Sequence, residues 1–399
     1  MVLPRYDEGG FAALPATVRR LLGRGDGEGG GGGGVPLPGL PATAQRVVLV
    51  LLDAFGWRFF TRHGDHPLLA RMDAVVPLTT QFPATTTAHV TTLHTGLPVG
   101  EHGLYEWNVY DPDLGVLVTP MLFSFAGDHG RDTLLAAGAR PDAVLPSGAT
   151  LYQRLADEGV ASHVFHPATF SPSTYDGVLA RGARLHTMPD LATGLADLAA
   201  TLRDATGPTY AYLYWDRIDT AGHLDGPSSA RFAEAARSSL DALDAGLRAL
   251  PEGTVVLVSA DHGQVDVDPQ RTVFVNEAWP ELAGLLARGR DGRVLAPAGS
   301  ARDLFLHCLP EAIDDVVDGL ASRLGERASV RRVDELVAAG WFGPAGDRLR
   351  AVLADVCVLP ADGETVWWRE PGRFDMRFRG HHGGLSEDEA RTQLAGLVV

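Results

Sequence analysis

The chain has 399 residues, a formal net charge of −16 at pH 7 and a hydrophobic content of 45%. That length suits one large core with a smaller second domain, and the acidic balance argues against general binding to nucleic acids or anionic membranes. The two cysteines, Cys308 and Cys357, lie in different segments, so a disulfide framework is not indicated. The N-terminus lacks an apolar signal core and no apolar run approaches a membrane span, which favours a cytoplasmic protein without a membrane partner.

The first segment of the chain, residues 1–34, is predicted to be an N-terminal arm with a linker. A short helix is expected over 11–22, and an unbroken glycine run occupies 29–34. This run lacks the Gly-Lys-Ser/Thr ending of a phosphate-binding loop and follows no strand, so a flexible linker is the favoured interpretation.

Strand and helix patterns alternate through the next two thirds of the chain. Three continuously apolar runs lead into Asp53, Asp216 and Asp261. Such runs are typical of buried strands in a parallel sheet, whereas 193–202 and 228–250 have the apolar spacing of helices. The pattern predicts an α/β fold with a mainly parallel central sheet sandwiched by helices.

The pattern changes after residue 271. Residues 272–372 mix short strands and helices, and we expect them to form an α+β insertion. The final segment, 373–399, contains a glycine-histidine cluster whose chemistry belongs with the earlier part. We therefore expect a catalytic domain built from 35–271 plus 373–399, with the insertion placed on it as a lid.

Carboxylates and histidines follow the apolar runs. Parallel sheets bind ligands beyond the carboxyl ends of their strands, where Asp53, Asp261 and His262 are expected to lie. Asp219 and His223 are four residues apart, which places both on one side of a helical turn or tight loop. Oxygen ligands together with imidazoles at one sheet edge are what a divalent metal centre needs.

Three consecutive threonines, Thr85, Thr86 and Thr87, precede a predicted helix at 88–93. A hydroxyl at the N-terminus of a helix lies among unpaired backbone N–H groups in a positive field. That setting suits a nucleophile or a bound phosphate. Taken alone, the threonines are better explained as helix caps.

These motifs together resemble the alkaline phosphatase superfamily, most closely its type I phosphodiesterase and nucleotide pyrophosphatase branch. The motifs that carry the resemblance are, in chain order, Asp53 after the first strand, Phe82-Pro83-Ala84-Thr85-Thr86, Thr95-Gly96, Pro98 to Gly103, Asn108 to Pro112, Asp219 to Pro227, Asp261-His262-Gly263 and Gly380-His381-His382-Gly383. Each motif is short, but their number, order and spacing cover nearly the whole body of the chain.

The resemblance implies two adjacent divalent metal ions, usually zinc, with manganese as the alternative. The ligands implied for the first ion are Asp53, Thr86, Asp261 and His262. The resemblance also implies a threonine nucleophile, and the Phe-Pro-x-x-Thr spacing favours Thr86 over Thr85 and Thr87, which stay open as alternatives.

The ligands implied for the second ion are Asp219, His223 and His382. His381 competes with His382, and the Gly-x-His-Gly spacing favours His382. Asn108 would bind a phosphate oxygen, although it lies one residue later than the family pattern.

The function implied is a two-metal phosphoric ester hydrolase that acts on a small molecule through a phospho-threonine intermediate. Diesters or pyrophosphates are favoured over monoesters, because no arginine between Arg71 and Arg131 is available to balance a dianion. The alternatives are a phosphomonoesterase or phosphoglycerate-mutase-like phosphotransferase of the same fold, and a non-catalytic metal-binding protein. The sequence leaves the oligomeric state open.

Overall fold

The computed structural model describes residues 1–24 and 33–399. The strands in these residues are β1 (Arg46–Leu52), β2 (Ala74–Thr79), β3 (Val109–Asp111), β4 (Val116–Thr119), β5 (Ser124–Phe125), β6 (Ala161–Pro167), β7 (Arg184–Met188), β8 (Thr209–Trp215), β9 (Thr254–Ser259), β10 (Val265–Asp266), β11 (Val273–Phe274), β12 (Ala298–Ser300), β13 (Asp303–Leu306), β14 (Ala328–Arg332), β15 (Val356–Pro360), β16 (Val366–Trp367), β17 (Gly380–His381) and β18 (Arg391–Val398).

The α-helices in the same residues range from single turns to the eighteen-residue α12. They are α1 (Leu14–Leu21), α2 (Trp57–Arg62), α3 (Pro67–Ala70), α4 (Thr86–Thr95), α5 (Val99–His102), α6 (Thr133–Ala136), α7 (Pro141–Val144), α8 (Leu151–Asp157), α9 (Thr174–Leu179), α10 (Leu191–Asp204), α11 (Arg217–Asp225), α12 (Ala230–Leu247), α13 (Val275–Ala278), α14 (Ile313–Leu324), α15 (Val333–Ala338), α16 (Asp347–Val352) and α17 (Glu387–Ala390). None of these helices is long and apolar enough to cross a lipid bilayer.

A seven-stranded sheet forms the centre of the molecule, in the order β2-β18-β9-β1-β8-β6-β7. Strand β1 runs parallel to both β8 and β9, and β6 runs parallel to β7 and β8. Only β18, the last strand, is antiparallel to its neighbours β2 and β9. The predicted mainly parallel sheet is therefore confirmed.

Both faces of the sheet are covered, because the side chains of a strand alternate between its two sides. Val47 and Leu49 of β1 pack into one core together with Leu14 of α1, whereas Val48 and Val50 pack into the other. That second core is closed by α10 and α12, the helices predicted at 193–202 and 228–250. This double burial explains why the strands are apolar at every position.

Residues 1–24 lie against the body of the protein. The N–H of Val2 donates to the carbonyl oxygen of Leu385 at 2.7 Å, and Phe11 and Leu21 are buried in the same core as the central sheet. Most of the predicted glycine linker falls in residues 25–32, which lie outside the described residues. The division of the chain into an arm, a catalytic domain and a lid stays a prediction.

Residues 272–372 contain a four-stranded antiparallel sheet in the order β12-β13-β15-β14, with α14 packed against it. The segment therefore mixes strands and helices, and its role as an inserted lid stays a prediction. The insertion contacts the rest of the chain beside the carboxyl edge of the main sheet, where the N–H of Gly299 donates to the carbonyl oxygen of Asn108 at 2.9 Å.

Candidate active site

Three carboxylates meet at the carboxyl edge of the central sheet. Leu52 at the end of β1 is level with Trp215 at the end of β8, so Asp53 and Asp216 leave the sheet side by side. Strand β9 is in register with β1 and leads to Asp261. The edge predicted from the apolar runs is therefore present, and α11 starts immediately after β8 at the same place.

Two groups of three potential ligand atoms occur here, each with all atoms within 4.8 Å of one another. The members of one group are Asp219, His223 and His382, and those of the other are Asp53, Asp219 and His262. The first group coincides with one predicted ligand set. The second contains Asp219 where the resemblance implied Asp261, so Asp219 belongs to both groups.

Asp261 nevertheless faces the second group. Its Oδ1 accepts from the N–H groups of Ala54, at 3.2 Å, and His262, at 3.1 Å. Its Oδ2 has no hydrogen-bond partner among the described residues and lies 3.5 Å from Nε2 of His262. Oδ1 of Asp53 likewise has no partner and lies 3.4 Å from the same Nε2. Asp261 can therefore contribute an oxygen to this position.

The three histidines of these groups share one orientation. In each, Nδ1 lies 2.8–3.0 Å from a backbone carbonyl oxygen, and the pairs are His223 with Gly380, His262 with Gly263 and His382 with Ala84. A carbonyl only accepts, so Nδ1 carries the hydrogen and the Nε2 lone pair faces the carboxylates. Metal-binding histidines typically have such a partner on the other ring nitrogen. Among the described residues, no hydrogen-bond partner lies at Nδ1 of His381, which belongs to neither group.

Burial decides the ionisation of these residues. It raises the pKa of Asp53 well above its usual value, and the charges of Asp261 and Asp219 raise it further, against a hydrogen bond from Tyr214. Burial also raises the pKa of Asp261 to about 7. The pKa of His262 falls well below its usual value because the ring is buried, which keeps the imidazole neutral.

Several buried oxygen and nitrogen acceptors thus converge, and their raised pKa values mean that the carboxyl groups resist ionisation in the absence of a nearby positive charge. Nε2 of His262 faces oxygens of Asp53 and Asp261, and such an arrangement of buried acceptors is costly unless a cation lies among them. Carboxylate oxygens with neutral imidazoles are the donors that zinc and similar divalent ions take. The residues present therefore fit a divalent metal centre.

The three threonines occupy different positions at the start of α4. Thr85 is the N-cap, and its hydroxyl accepts from the N–H of Ala88 and donates to the carbonyl oxygen of Tyr105. Thr87 is buried, and its hydroxyl has no partner among the described residues. Thr86 alone reaches the carboxylate edge, where its Oγ lies 3.1 Å from Nε2 of His262. Because that Nε2 carries a lone pair, the Thr86 hydroxyl donates to it.

Two residues that support the site were not found from the sequence. The Tyr214 hydroxyl donates to Oδ2 of Asp53, and Nε2 of Gln264 donates to Oδ1 of Asp219 at 2.7 Å. Gln264 follows the Asp-His-Gly motif directly, so its proximity to that motif was a usable signal. Tyr214 lies in an apolar strand, where its ring suggested only core packing.

A cavity of about 630 Å³ opens onto these groups. Its lining tyrosine, phenylalanine and tryptophan residues are Trp107, Phe170, Tyr175, Tyr214, Trp367, Phe374 and Phe378. Asn108, the predicted phosphate-binding residue, also lies in the wall, where its side-chain oxygen accepts from the Thr119 hydroxyl at 2.9 Å. This bond leaves the N–H groups of the Asn108 amide available to a ligand.

Two arginines line the cavity although they are distant from the motifs in sequence. The Arg131 guanidinium lies 5.8 Å from the ring centre of Phe170 and has no carboxylate within 4.0 Å among the described residues. Arg373 forms an ion pair with Glu370 at 2.7 Å. The argument against monoesters relied on the lack of a nearby arginine, so the structure removes its basis.

Comparison with known proteins identifies the family. Residues 47–383 match the family model described as type I phosphodiesterase/nucleotide pyrophosphatase. The chain belongs to this family. It is a hydrolase that acts on phosphate esters, as the resemblance predicted. No curated protein matches the chain by sequence.

Solved structures agree with this assignment at the level of the fold. Murine ectonucleotide pyrophosphatase/phosphodiesterase 5 has a TM-score of 0.65 and 16% sequence identity, with 88% of this chain and 87% of that chain covered. An inactive threonine-to-alanine variant of the murine protein, in complex with AMP, gives the same values. The human protein of the same name has a TM-score of 0.64, again with 16% identity and coverage of 88% and 87%.

Proposed function

We propose that this protein is a two-metal phosphodiesterase or nucleotide pyrophosphatase in which Thr86 is the nucleophile. The observation that carries the proposal is the position of the Thr86 hydroxyl, at the N-terminus of α4 and 3.1 Å from Nε2 of His262, beside both groups of ligand atoms. The inactive threonine-to-alanine form of the murine neighbour is consistent with a threonine in this role. Within the cell, we propose that the protein is cytoplasmic.

The metal ligands would form two sets that share the carboxyl edge of the sheet. Those proposed for one ion are Asp53, Asp261, His262 and Thr86, with Asp219 adjacent, and those for the other are Asp219, His223 and His382. When bound, divalent ions (zinc, with manganese as the alternative) supply positive charge that lowers the pKa of a hydroxyl and balances the charge on phosphate.

The residues of the chain account for the remaining steps. The exposed N–H groups at the start of α4 hold the phosphate in a positive field, and the amide of Asn108 donates to a phosphate oxygen. Oγ of Thr86 forms a bond to phosphorus while the bond from phosphorus to the leaving oxygen breaks. Water then attacks the phospho-threonine, which releases the phosphate product and restores the hydroxyl.

A substrate of nucleotide size with a flat ring suits the cavity. The volume of about 630 Å³ and the seven aromatic side chains around it offer stacking surfaces that a small inorganic phosphate would not use. The AMP complex of the murine neighbour supports the same class of ligand. A panel of phosphate esters would identify the preferred leaving group and narrow the physiological substrate.

The nucleophile is tested by substitution. We expect Thr86→Ala to lower kcat for a nitrophenyl nucleotide diester by at least ~10³-fold, because no other described hydroxyl has the same position. Zinc content, measured by mass spectrometry, should change little, since the hydroxyl is only one of several ligands. Thr87→Val serves as the matched control because the Thr87 hydroxyl is buried, forms no hydrogen bond with the described residues and should be dispensable. If Thr86→Ala stays active and Thr85→Ala abolishes turnover, the nucleophile is assigned to the wrong threonine.

The alternative functions are separated by a panel of mono-, di- and pyrophosphate esters assayed with defined zinc or manganese. A phosphomonoesterase would hydrolyse the monoesters fastest, an outcome that the cavity arginines favour. A phosphoglycerate-mutase-like enzyme would transfer phosphate between glycerate positions without releasing it. Negligible metal content together with no hydrolysis of any ester would indicate a non-catalytic protein.

A further inference from the structure

The 272–372 insertion supports the backbone segment that carries His382. Arg302, between β12 and β13 of the insertion, forms a bidentate ion pair with Glu389 of α17, with Nε to Oε1 at 2.9 Å and Nη2 to Oε2 at 2.7 Å. The side chains are 1% and 0% exposed, so the pair is fully buried. Glu389 in turn accepts from the N–H of Gly384 at 3.0 Å, two residues after His382.

A second contact from the insertion reaches the same loop. The hydroxyl of Ser300 donates to Asp303, and its Oγ lies 3.3 Å from the carbonyl oxygen of His382. Gly383 has a φ of +124°, and a Cβ placed on it would lie 2.3 Å from Oδ1 of Asp303. The loop therefore passes between Asp303 and Glu389 with no space for a side chain at Gly383.

The pair is also anchored within the insertion. Nη1 of Arg302 donates to the carbonyl oxygens of Ala361 and Glu364, both at 2.6 Å. On the other side, Glu389 accepts from the Ser386 hydroxyl at 2.7 Å. Arg302 thus connects residues 361–364 of the insertion to the turn that follows His382.

A buried ion pair contributes little to stability in comparison with well-packed apolar groups. It does fix geometry, because a bidentate pair has both a preferred distance and a preferred plane. Metal ligands bind only when their atoms are held in place, and the residues behind them determine that placement. The hydrogen bond from Nδ1 to Ala84 orients the ring of His382, but it does not fix the backbone behind it.

We propose that Arg302 is a positioning residue for His382, and that the insertion acts through it as a rigid support of the metal centre. The inference rests on the proposed function, since it takes His382 as a metal ligand. Arg302 touches no ligand atom of the site. Its effect reaches the metal through Glu389, Gly384 and the His382 backbone.

The test replaces the pair while keeping the fold. Removing Arg302 alone would leave the Glu389 charge buried without a partner and strongly destabilise the fold, so the informative variant is the double change Arg302→Met with Glu389→Met. In the full-length protein, we expect one of two bound zinc ions to be held roughly 10–100-fold more weakly in competition with a chelating dye. The free energy of unfolding of the metal-free protein should stay close to the wild-type value.

A matched control exists in the insertion itself. Arg332 and Asp314 form an ion pair at 2.5 Å that involves none of the residues bonded to Arg302, and Arg332→Met with Asp314→Met should leave zinc affinity unchanged. Wild-type affinity for both zinc ions in the Arg302/Glu389 double variant would overturn the inference. If that variant does not fold, Arg302→Lys is used, because lysine keeps the charge but loses the bidentate geometry; unchanged zinc affinity in Arg302→Lys would likewise overturn the inference.

His382→Ala separates this inference from the proposed function. If His382→Ala weakens zinc binding and the double variant does not, the positioning role is wrong while the ligand assignment stands. If His382→Ala leaves zinc affinity unchanged, both the assignment of His382 as a ligand and the positioning role of Arg302 are wrong.

Discussion

Arg131 is a cation of the cavity without a carboxylate partner among the described residues, and its guanidinium lies over the edge of the substrate space beside Phe170. The guanidinium donates to the Phe170 carbonyl oxygen at 2.9 Å, and its charge favours a negatively charged group on the substrate. We expect Arg131→Met to lower kcat/KM by roughly 10-fold for a dinucleoside pyrophosphate, whose leaving group is charged, a loss of about 1.4 kcal/mol. The kcat/KM for a nitrophenyl nucleotide diester, whose leaving group lacks a phosphate, should fall much less.

The control for this prediction is Arg373→Met. Arg373 lines the same cavity but already pairs with Glu370. Arg373→Met should therefore lower kcat/KM by similar, small factors for the two substrates. Parallel losses for both substrates in Arg131→Met would show that Arg131 does not contact the leaving group.

Residues of the site were predictable from sequence where a local spacing constrained them. Asp219 and His223 are four residues apart and lie on one face of α11, with Oδ1 and Nε2 3.3 Å apart. The choice of His382 over His381 came from motif spacing, and His382 is the one within the ligand group. Arg302 and Arg131 could not be found this way, because their partners are distant in sequence and depend on the folded insertion and loops.

At the scale of elements, α4 and α5 hold a buried histidine that makes stability depend on pH. His102, the last residue of α5, accepts from the N–H of Leu104 through Nδ1 and contacts the Ala88 carbonyl of α4 through Nε2. Protonation of Nδ1 would break the first bond, and burial lowers the pKa of His102 to about 3.

Between that value and the usual pKa of histidine, the unfolded chain binds a proton that the folded protein does not. Stability is therefore complete above about pH 6.5 and falls as the pH decreases below it, by up to about 1.4 kcal/mol per pH unit for this residue. Urea unfolding between about pH 5 and 7 should show a shallower pH dependence for His102→Gln than for the wild type. An equal dependence in both proteins, at the same zinc concentration, would contradict the assignment.

Long elements were predicted because their periodicity reports burial directly. The apolar runs became β1, β8 and β9, and the segment at 228–250 became α12, with ends that differ by two or three residues. The pair β10 and β17 could not be predicted, since each has two residues and Val265 meets His381 only after the chain has folded. The long strands and helices that place the site were therefore predictable, whereas the short strand pairs that hold its loops were not.

At the scale of the whole molecule, the fold concentrates negative charge at one edge of its central sheet. Asp53 and Asp261 each present there an oxygen that has no hydrogen-bond partner among the described residues, Asp219 lies beside them, and burial raises the pKa of each carboxyl group. A cation that binds the folded protein and not the unfolded chain stabilises it, by about 4 kcal/mol per site at a free concentration ~1000 times its Kd.

Removing metal with a chelator should therefore lower the free energy of urea unfolding, and adding zinc back should restore it. Asp219→Asn is the decisive control, because Asp219 belongs to both ligand groups and its loss should make the unfolding insensitive to the chelator. If the chelator leaves wild-type unfolding unchanged, the converging carboxylates are not a metal centre, and the two-metal mechanism would have to be abandoned.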